Sequence, residues 1–270
     1  MNEQQYNEIP ALRASFLKAC SMGPYQGWKS LHMGEYSNEA MDFGTAVHMA
    51  LLEPARFAES YCLVPMDAPK PNSKPLEDYK KVTDKHIATA KWWADFEART
   101  KGKTVLDPKD AARLERIKAR CQEVPAVRQA LETFEKEKAY VWGESPKFKA
   151  RLDLVDEANG VIIDIKTTRD ASQRAFTQQA LQNRYDIQFL HYARALQKPV
   201  SFYVIAIESD TGEVALYNFD EIIYSKFTQQ RYEMALAIAQ EVLQMKQCPP
   251  KYTAEIVKLN LPEWALKETV

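Results

Sequence analysis

The sequence predicts an α/β protein: a mixed central β-sheet flanked by helices, with helical additions on the N-terminal side. Three observations predict it. Phe148 to Thr168 reads as a β-hairpin, SFYVIAIES and EVALYNF read as two further strands, and the stretches on either side carry apolar residues at helical spacing. Residues from about 1 to 135 form a mainly helical part, and those from about 136 to 270 hold the sheet core and the C-terminal helices. One domain is expected to contain both, since 270 residues with 46% hydrophobic content suffice for one large core.

Composition narrows the chemistry. Lys and Arg number 36 against 37 Asp and Glu, so the net charge of −1 gives no global attraction to nucleic acid, and any such role rests on local patches. Cys20, Cys62, Cys121 and Cys248 stand far apart without paired metal-ligand spacing, which argues against a cysteine-held Fe–S cluster or structural zinc. With no secretory leader pattern, the expected setting is a reducing cytoplasm. No apolar run reaches the roughly 20 residues that cross a bilayer, so no membrane partner is expected.

Tyr6 to Cys20 has helical periodicity, and Ser21-Met22-Gly23-Pro24 stops it. Met41 to Leu52 is a second helix, in which Gly44 permits close approach of another backbone and Glu53-Pro54 marks the end. The titratable side chain near its centre is His48. A lone histidine on an apolar helix is ordinarily a core residue, yet imidazole is a competent metal ligand that a helix over the sheet can aim at acids below. MDAPKPNSKP marks an exposed loop, either a plain connector or the border of a substrate path, before a charged helix from about Leu76 to Ala98. Lys101-Gly102-Lys103 is a turn, and Asp107-Pro108 opens another helix, broken near Pro125. Its Arg113, Arg116, Lys118 and Arg120 read as a solvated face, with phosphate contact the lesser reading. Ala126 to Lys138 is one more helix, and the sheet starts at Ala139.

In the hairpin, FKARLDLV alternates apolar and polar residues, Asn159-Gly160 supplies turn chemistry, and VIIDIK is rich in β-branched side chains. Alternation puts Asp164 and Lys166 on one face and Val161, Ile163 and Ile165 on the other. Asp153 on the neighbouring strand can point to the same side as Asp164. Two carboxylates brought together in a partly buried place repel unless a proton or cation sits between them, and a hard ion such as Mg²⁺ favours carboxylate oxygen. An Asp-x-Lys pair alone is more often a solvated edge or a surface ion pair. Arg151, two residues before Asp153, shares its face and either holds a phosphate or pairs with an acid. Beyond Thr168, YDIQFLHYARAL sets Tyr185, Gln188 and Tyr192 on one helical face and Ile187, Leu190 and Ala193 on another. Asp210-Thr211-Gly212 joins the last two strands, and Asp220 to Gln247 is a long helix ahead of Pro249-Pro250.

Asp153, a turn and IIDIKTT in that order resemble the PD-(D/E)XK nuclease core, in which the first aspartate and the acid of the acid-x-lysine triplet hold Mg²⁺. Here the triplet is Asp164-Ile165-Lys166. AMDFGTAVHMALLEPARF resembles the N-terminal signature of the exonuclease VIII (RecE) family and, more loosely, the histidine motif of the RecB-like branch. Gln188 and Tyr192 match the Q-x-x-x-Y motif that follows the core in that branch. Glu137, five residues before Trp142, resembles an acid that precedes the first core strand, and Pro262-Glu263-Trp264 resembles the exonuclease family's C-terminal ending.

The resemblance implies His48, Asp153 and Asp164 as metal ligands, with the Ile165 carbonyl as another. It implies Asp153, Asp164 and Lys166 as the catalytic set, Glu137 as an aid to a second metal, and Gln188, Tyr192 and Arg151 as DNA contacts. The cofactor implied is Mg²⁺, in two ions, with Mn²⁺ able to substitute. The activity implied is a processive 5′→3′ exodeoxyribonuclease that degrades linear double-stranded DNA to 3′ single-stranded tails for recombination. Its partners would be DNA ends, further copies of the chain in a ring-shaped homo-oligomer, and a single-strand annealing protein, in a phage or prophage setting within a bacterial cytoplasm. A repair or restriction-type endonuclease of the same superfamily and a non-catalytic DNA-end-binding module are the alternatives. Intact Asp153, Asp164 and Lys166 weigh against the last, because a binding module has little use for acids facing phosphate.

Overall fold

The computed structural model describes residues 3–33, 39–252, 256 and 258. In chain order the N-terminal part holds α1 (Glu3–Glu8), α2 (Ala14–Cys20), α3 (Pro24–His32), α4 (Glu39–Leu52), α5 (Pro54–Ser60), β1 (Tyr61–Leu63), α6 (Asp84–Arg99), β2 (Thr104–Leu106), α7 (Pro108–Glu123) and α8 (Pro125–Thr133). Then come β3 (Glu135–Trp142), β4 (Phe148–Asp156), β5 (Val161–Thr168), α9 (Gln173–Gln182), α10 (Tyr185–Ala195), β6 (Ser201–Glu208), β7 (Val214–Asn218), α11 (Asp220–Ile223) and α12 (Lys226–Gln244). Strands β3 to β7 lie side by side in sequence order. Within this five-stranded sheet only β5 and β6 run parallel, because the two-helix crossover through α9 and α10 returns the chain to the same end of the sheet.

Alternation along β5 and β6 builds two apolar layers, as expected for strands covered on both faces. Ile162, Phe202, Val204 and Ala206 pack with α2, α10 and α12, while Ile163, Ile165, Ile205 and Ile207 pack with α4, α7 and α8. Asp164 and Lys166 therefore belong, by parity, to the α10 side. Strand β4 breaks its own alternation at Asp153: Ala150 and Leu152 face the α10 layer, and so does Val155.

Several sequence expectations need correction. The single helix expected over Tyr6–Cys20 is two, because the segment between them joins the sheet. Leu12 donates to the Lys147 carbonyl at 2.8 Å and accepts from Lys149 N–H at 2.9 Å, occupying the open end of β4. The Lys149 ammonium then closes α1 by donating to the carbonyls of Tyr6 (2.9 Å), Asn7 (3.1 Å) and Ile9 (2.9 Å). The helix expected over Ala126–Lys138 stops at Thr133, and EKEK is the first half of β3. An edge strand tolerates such a charged run, which also discourages pairing with another sheet. Leu76–Asp78 is a single 3₁₀ turn, and α6 starts only at Asp84, where Thr83 and His86 cap each other. Asp220–Gln247 is divided at Ser225, whose hydroxyl caps α12 through Thr228 N–H at 3.1 Å.

The basic face of α7 is engaged rather than simply solvated. Arg113 reaches Asp210 at 3.2 Å and the Ser209 carbonyl at 2.9 Å, and Arg120 reaches Glu213 at 3.2 Å, clamping the β6–β7 turn. Pro262-Glu263-Trp264 lies outside the described residues. Among the described residues no helix is long and apolar enough to cross a membrane.

Candidate metal centre

The register of the sheet sets three acids in one row. Lys136 pairs with Leu154 and Lys138 with Leu152, so Glu137 falls opposite Asp153. Leu154 pairs with Ile163, so the next step along places Asp153 opposite Asp164. The row coincides with a fork: paired residues of β4 and β5 run only from Asp156↔Val161 to Leu154↔Ile163. Past that point the Asp153 carboxylate itself accepts the Ile165 N–H at 2.8 Å, replacing a ladder bond by a side-chain bond. Glu137 has a left-handed backbone, φ 50°, a conformation that non-glycine residues adopt at a cost and that clusters at functional sites.

Both helical layers deliver side chains into this fork. On one side Gly44 lets α4 approach β5 closely: a Cβ there would meet Thr167 Oγ1 at 3.0 Å. His48, one turn on, consequently sits with Nδ1 3.5 Å from Asp153 Oδ2. Ligand atoms of His48, Glu137 and Asp153 all lie within 4.8 Å of one another. On the other side α10 presents Gln188 and Tyr192, hydrogen-bonded to each other at 3.1 Å, and the aromatic rings of Tyr185 and Phe189, over which Lys166 Nζ lies at 5.2 and 5.6 Å. A buried His191 anchors this helix through Tyr232 Oη at 2.8 Å and the Lys149 carbonyl at 3.0 Å.

The electrostatics are those of acids short of positive charge. Asp164 is 1% exposed and lies 2.5 Å from Lys166 Nζ, yet neither of its buried oxygens receives a well-directed hydrogen bond. Burial pushes its carboxyl up to about 6 against the pull of Lys166, and Asp153 adds to the push. Burial and Asp153 likewise push Glu137 up to about 7, although Arg151 pairs with it at 2.7 Å. Asp153 is raised by burial as well. His48 goes the other way, down to about 4, by burial and the nearby Lys166, so its imidazole is neutral near pH 7 and able to donate a lone pair. Burial alone would weaken the Lys166 ammonium, but Asp164 and Asp153 outweigh it and hold the lysine charged.

Carboxylates whose proton affinity burial raises, a neutral imidazole and a backbone carbonyl at Ile165 form a donor set that fits a hard divalent cation. The structure thus brings together His48, Asp153, Asp164, Ile165, Lys166, Gln188 and Tyr192. Arg151 reaches the group through its ion pair with Glu137. The innermost set differs from expectation in one respect, since Glu137 rather than Asp164 completes the trio around His48 and Asp153. Glu137 is hard to place from sequence because EKEK offers acids on successive residues. Counting opposed positions outward from Asp153 selects it.

Residues 15–259 match the family described as a PDDEXK-like domain of unknown function (DUF3799). The chain belongs to this family. Among solved structures, a protein from Eubacterium rectale, itself assigned as an exonuclease by inference, aligns over 100% of this chain and 99% of its own with a TM-score of 0.58 at 12% identity. That likeness shows a shared fold. A phage-related exonuclease from Haemophilus somnus aligns over 60% of this chain and 82% of its own, with a TM-score of 0.34 at 14% identity, too loosely to support an argument. No curated protein sequence matches significantly. Asp164, Ile165 and Lys166 lie within the matched residues, on β5 at the fork.

Proposed function

We propose that the protein is a divalent-metal-dependent exodeoxyribonuclease of the exonuclease VIII type, acting 5′→3′ on linear double-stranded DNA and leaving 3′ single-stranded tails. The observation that carries the hydrolytic part is the row Glu137, Asp153 and Asp164 across three adjacent strands, with His48 above it and Lys166 beside it. His48, Asp153, Asp164 and the Ile165 carbonyl would hold Mg²⁺ or Mn²⁺, and Glu137 would share in a second ion. Such an ion supplies Lewis-acid polarisation of a phosphoryl oxygen and a lower pKa for attacking water.

The chain's own groups do the rest. Lys166, kept charged by Asp164 and Asp153, is placed to orient water or offset negative charge developing on phosphate. The Gln188 amide and the Tyr192 hydroxyl offer donors to the DNA strand. Arg151, by neutralising Glu137, limits repulsion of the incoming phosphate.

Polarity, the recombination role, a ring-shaped homo-oligomer and an annealing partner follow from the likeness of the α4 segment, AMDFGTAVHMALLEPARF, to the exonuclease VIII family. The decisive experiment incubates the protein and Mg²⁺ with linear duplexes labelled separately at each 5′ and 3′ end, alongside covalently closed circles. Early release of 5′ label with circles intact is the expected result. Cut circles would instead identify an endonuclease.

A further inference from the structure

Resting on the nuclease reading, we propose that Lys18, with Tyr185, forms a second phosphate subsite beside the scissile one and positions the strand being cut. Lys18 lies on α2, outside every motif that the sequence singled out. Its ammonium donates to Gln188 Oε1 at 3.2 Å and lies 4.9 Å from the centre of the Tyr185 ring. Lys166 lies 5.2 Å from the centre of the same ring. Two cations, one of them at the hydrolytic centre, thus lie over a single aromatic ring. A single strand carries its phosphates in regular succession, so two cations bordering one ring can meet neighbouring phosphates of that strand.

The hydrogen bonds give this arrangement a direction. Lys18 can only donate, so the Gln188 oxygen must face it and the Gln188 nitrogen must face Tyr192. Tyr192 Oη accepts that second bond at 3.1 Å, which leaves the hydroxyl proton to be given to a group in the site. Lys18 thereby fixes the orientation of an amide that is otherwise free to flip, and makes Tyr192 a donor towards phosphate oxygen. A neutral residue at position 18 could keep the amide orientation but would not supply the charge.

The test compares wild type with Lys18→Gln and Lys18→Arg. Steady-state digestion of linear duplex in Mg²⁺ is measured between about 50 and 200 mM salt, and duplex binding in Ca²⁺ over the same range. For Lys18→Gln the expected result is a roughly ten-fold rise in KM, kcat changed less than about three-fold, and a salt slope flattened by about one. Lys18→Arg should restore the slope and most of the KM. An unchanged KM and slope in Lys18→Gln overturns the subsite. An equal loss in both variants with the slope intact also overturns it, leaving Lys18 a packing role. If wild type fails to cut any duplex, the nuclease reading falls, while the slope in Ca²⁺ still decides whether Lys18 meets a phosphate.

Discussion

A buried carboxylate without a directed donor is among the costliest groups a fold can keep charged, and Asp164 is in that position. Its partner Lys166 makes the pair tolerable, so removing either member leaves the other exposed to that cost. Asp164→Ala and Lys166→Ala should each lower digestion by at least about 10²-fold and also lower Tm, while the far-ultraviolet circular dichroism at 25 °C stays that of the wild type. His48→Ala should instead raise the Mg²⁺ or Mn²⁺ concentration needed for half-maximal rate, and a metal titration reads this directly. Titration of the acids makes metal binding depend on pH with a definite sign. Asp164 near 6 and Glu137 near 7 both lie above their ordinary values, so the metal-free fold binds these protons more tightly than the unfolded chain. Their stabilising contribution is therefore present at acid pH and lost as pH rises through 6 to 7. His48, lowered to about 4, opposes this and costs stability as pH falls from 6.5. A divalent ion replaces the protons, so the Tm gained on adding Mn²⁺ should grow between pH 5 and pH 8, and differential scanning fluorimetry across that range checks it.

Helix α4 brings His48 to the acids because Gly44 removes the side chain that would hold it off β5. Gly44→Ala would press a methyl against Thr167 Oγ1 at 3.0 Å, pushing the helix outward and weakening metal affinity. Adding Thr167→Ala should recover most of the loss, and calorimetric titration of Mn²⁺ into the single and double variants measures both effects. This element was legible in the sequence, as were β4, β5, the turn at Gly160 with φ 65° and the α10 face bearing Gln188 and Tyr192. In each, periodicity and local turn chemistry agree with the tertiary contacts. Elements set by long-range partners were not legible. The three-residue strands β1 and β2 pair in parallel across some forty residues, too short to show an alternating pattern. The EKEK half of β3 has helix-forming composition and becomes a strand only because β4 offers it a ladder. Lys18 carries no local signal, because its partners Gln188 and Tyr185 stand on α10, far along the chain.

Taken whole, the molecule converges on its candidate centre from both layers: α4 from one, α2 and α10 from the other, with the β4–β5 fork between them. Filling that centre with a cation should therefore tie the layers together. Hydrogen exchange in Mn²⁺ should slow in α4 and along the β4–β5 fork and leave the β6–β7 turn unchanged, since Arg113 and Arg120 hold that turn independently of the acids. Glu137, Asp153 and Asp164 also stand on three consecutive strands, at opposed positions. Paired strands lie about 4.8 Å apart, but the β4–β5 ladder has already ended at Asp153, so the gauge between Asp153 and Asp164 is set where the two strands part. The spacing of the anchoring points is therefore held by a side chain, the Asp153 carboxylate on Ile165 N–H, and the centre supplies part of its own scaffold.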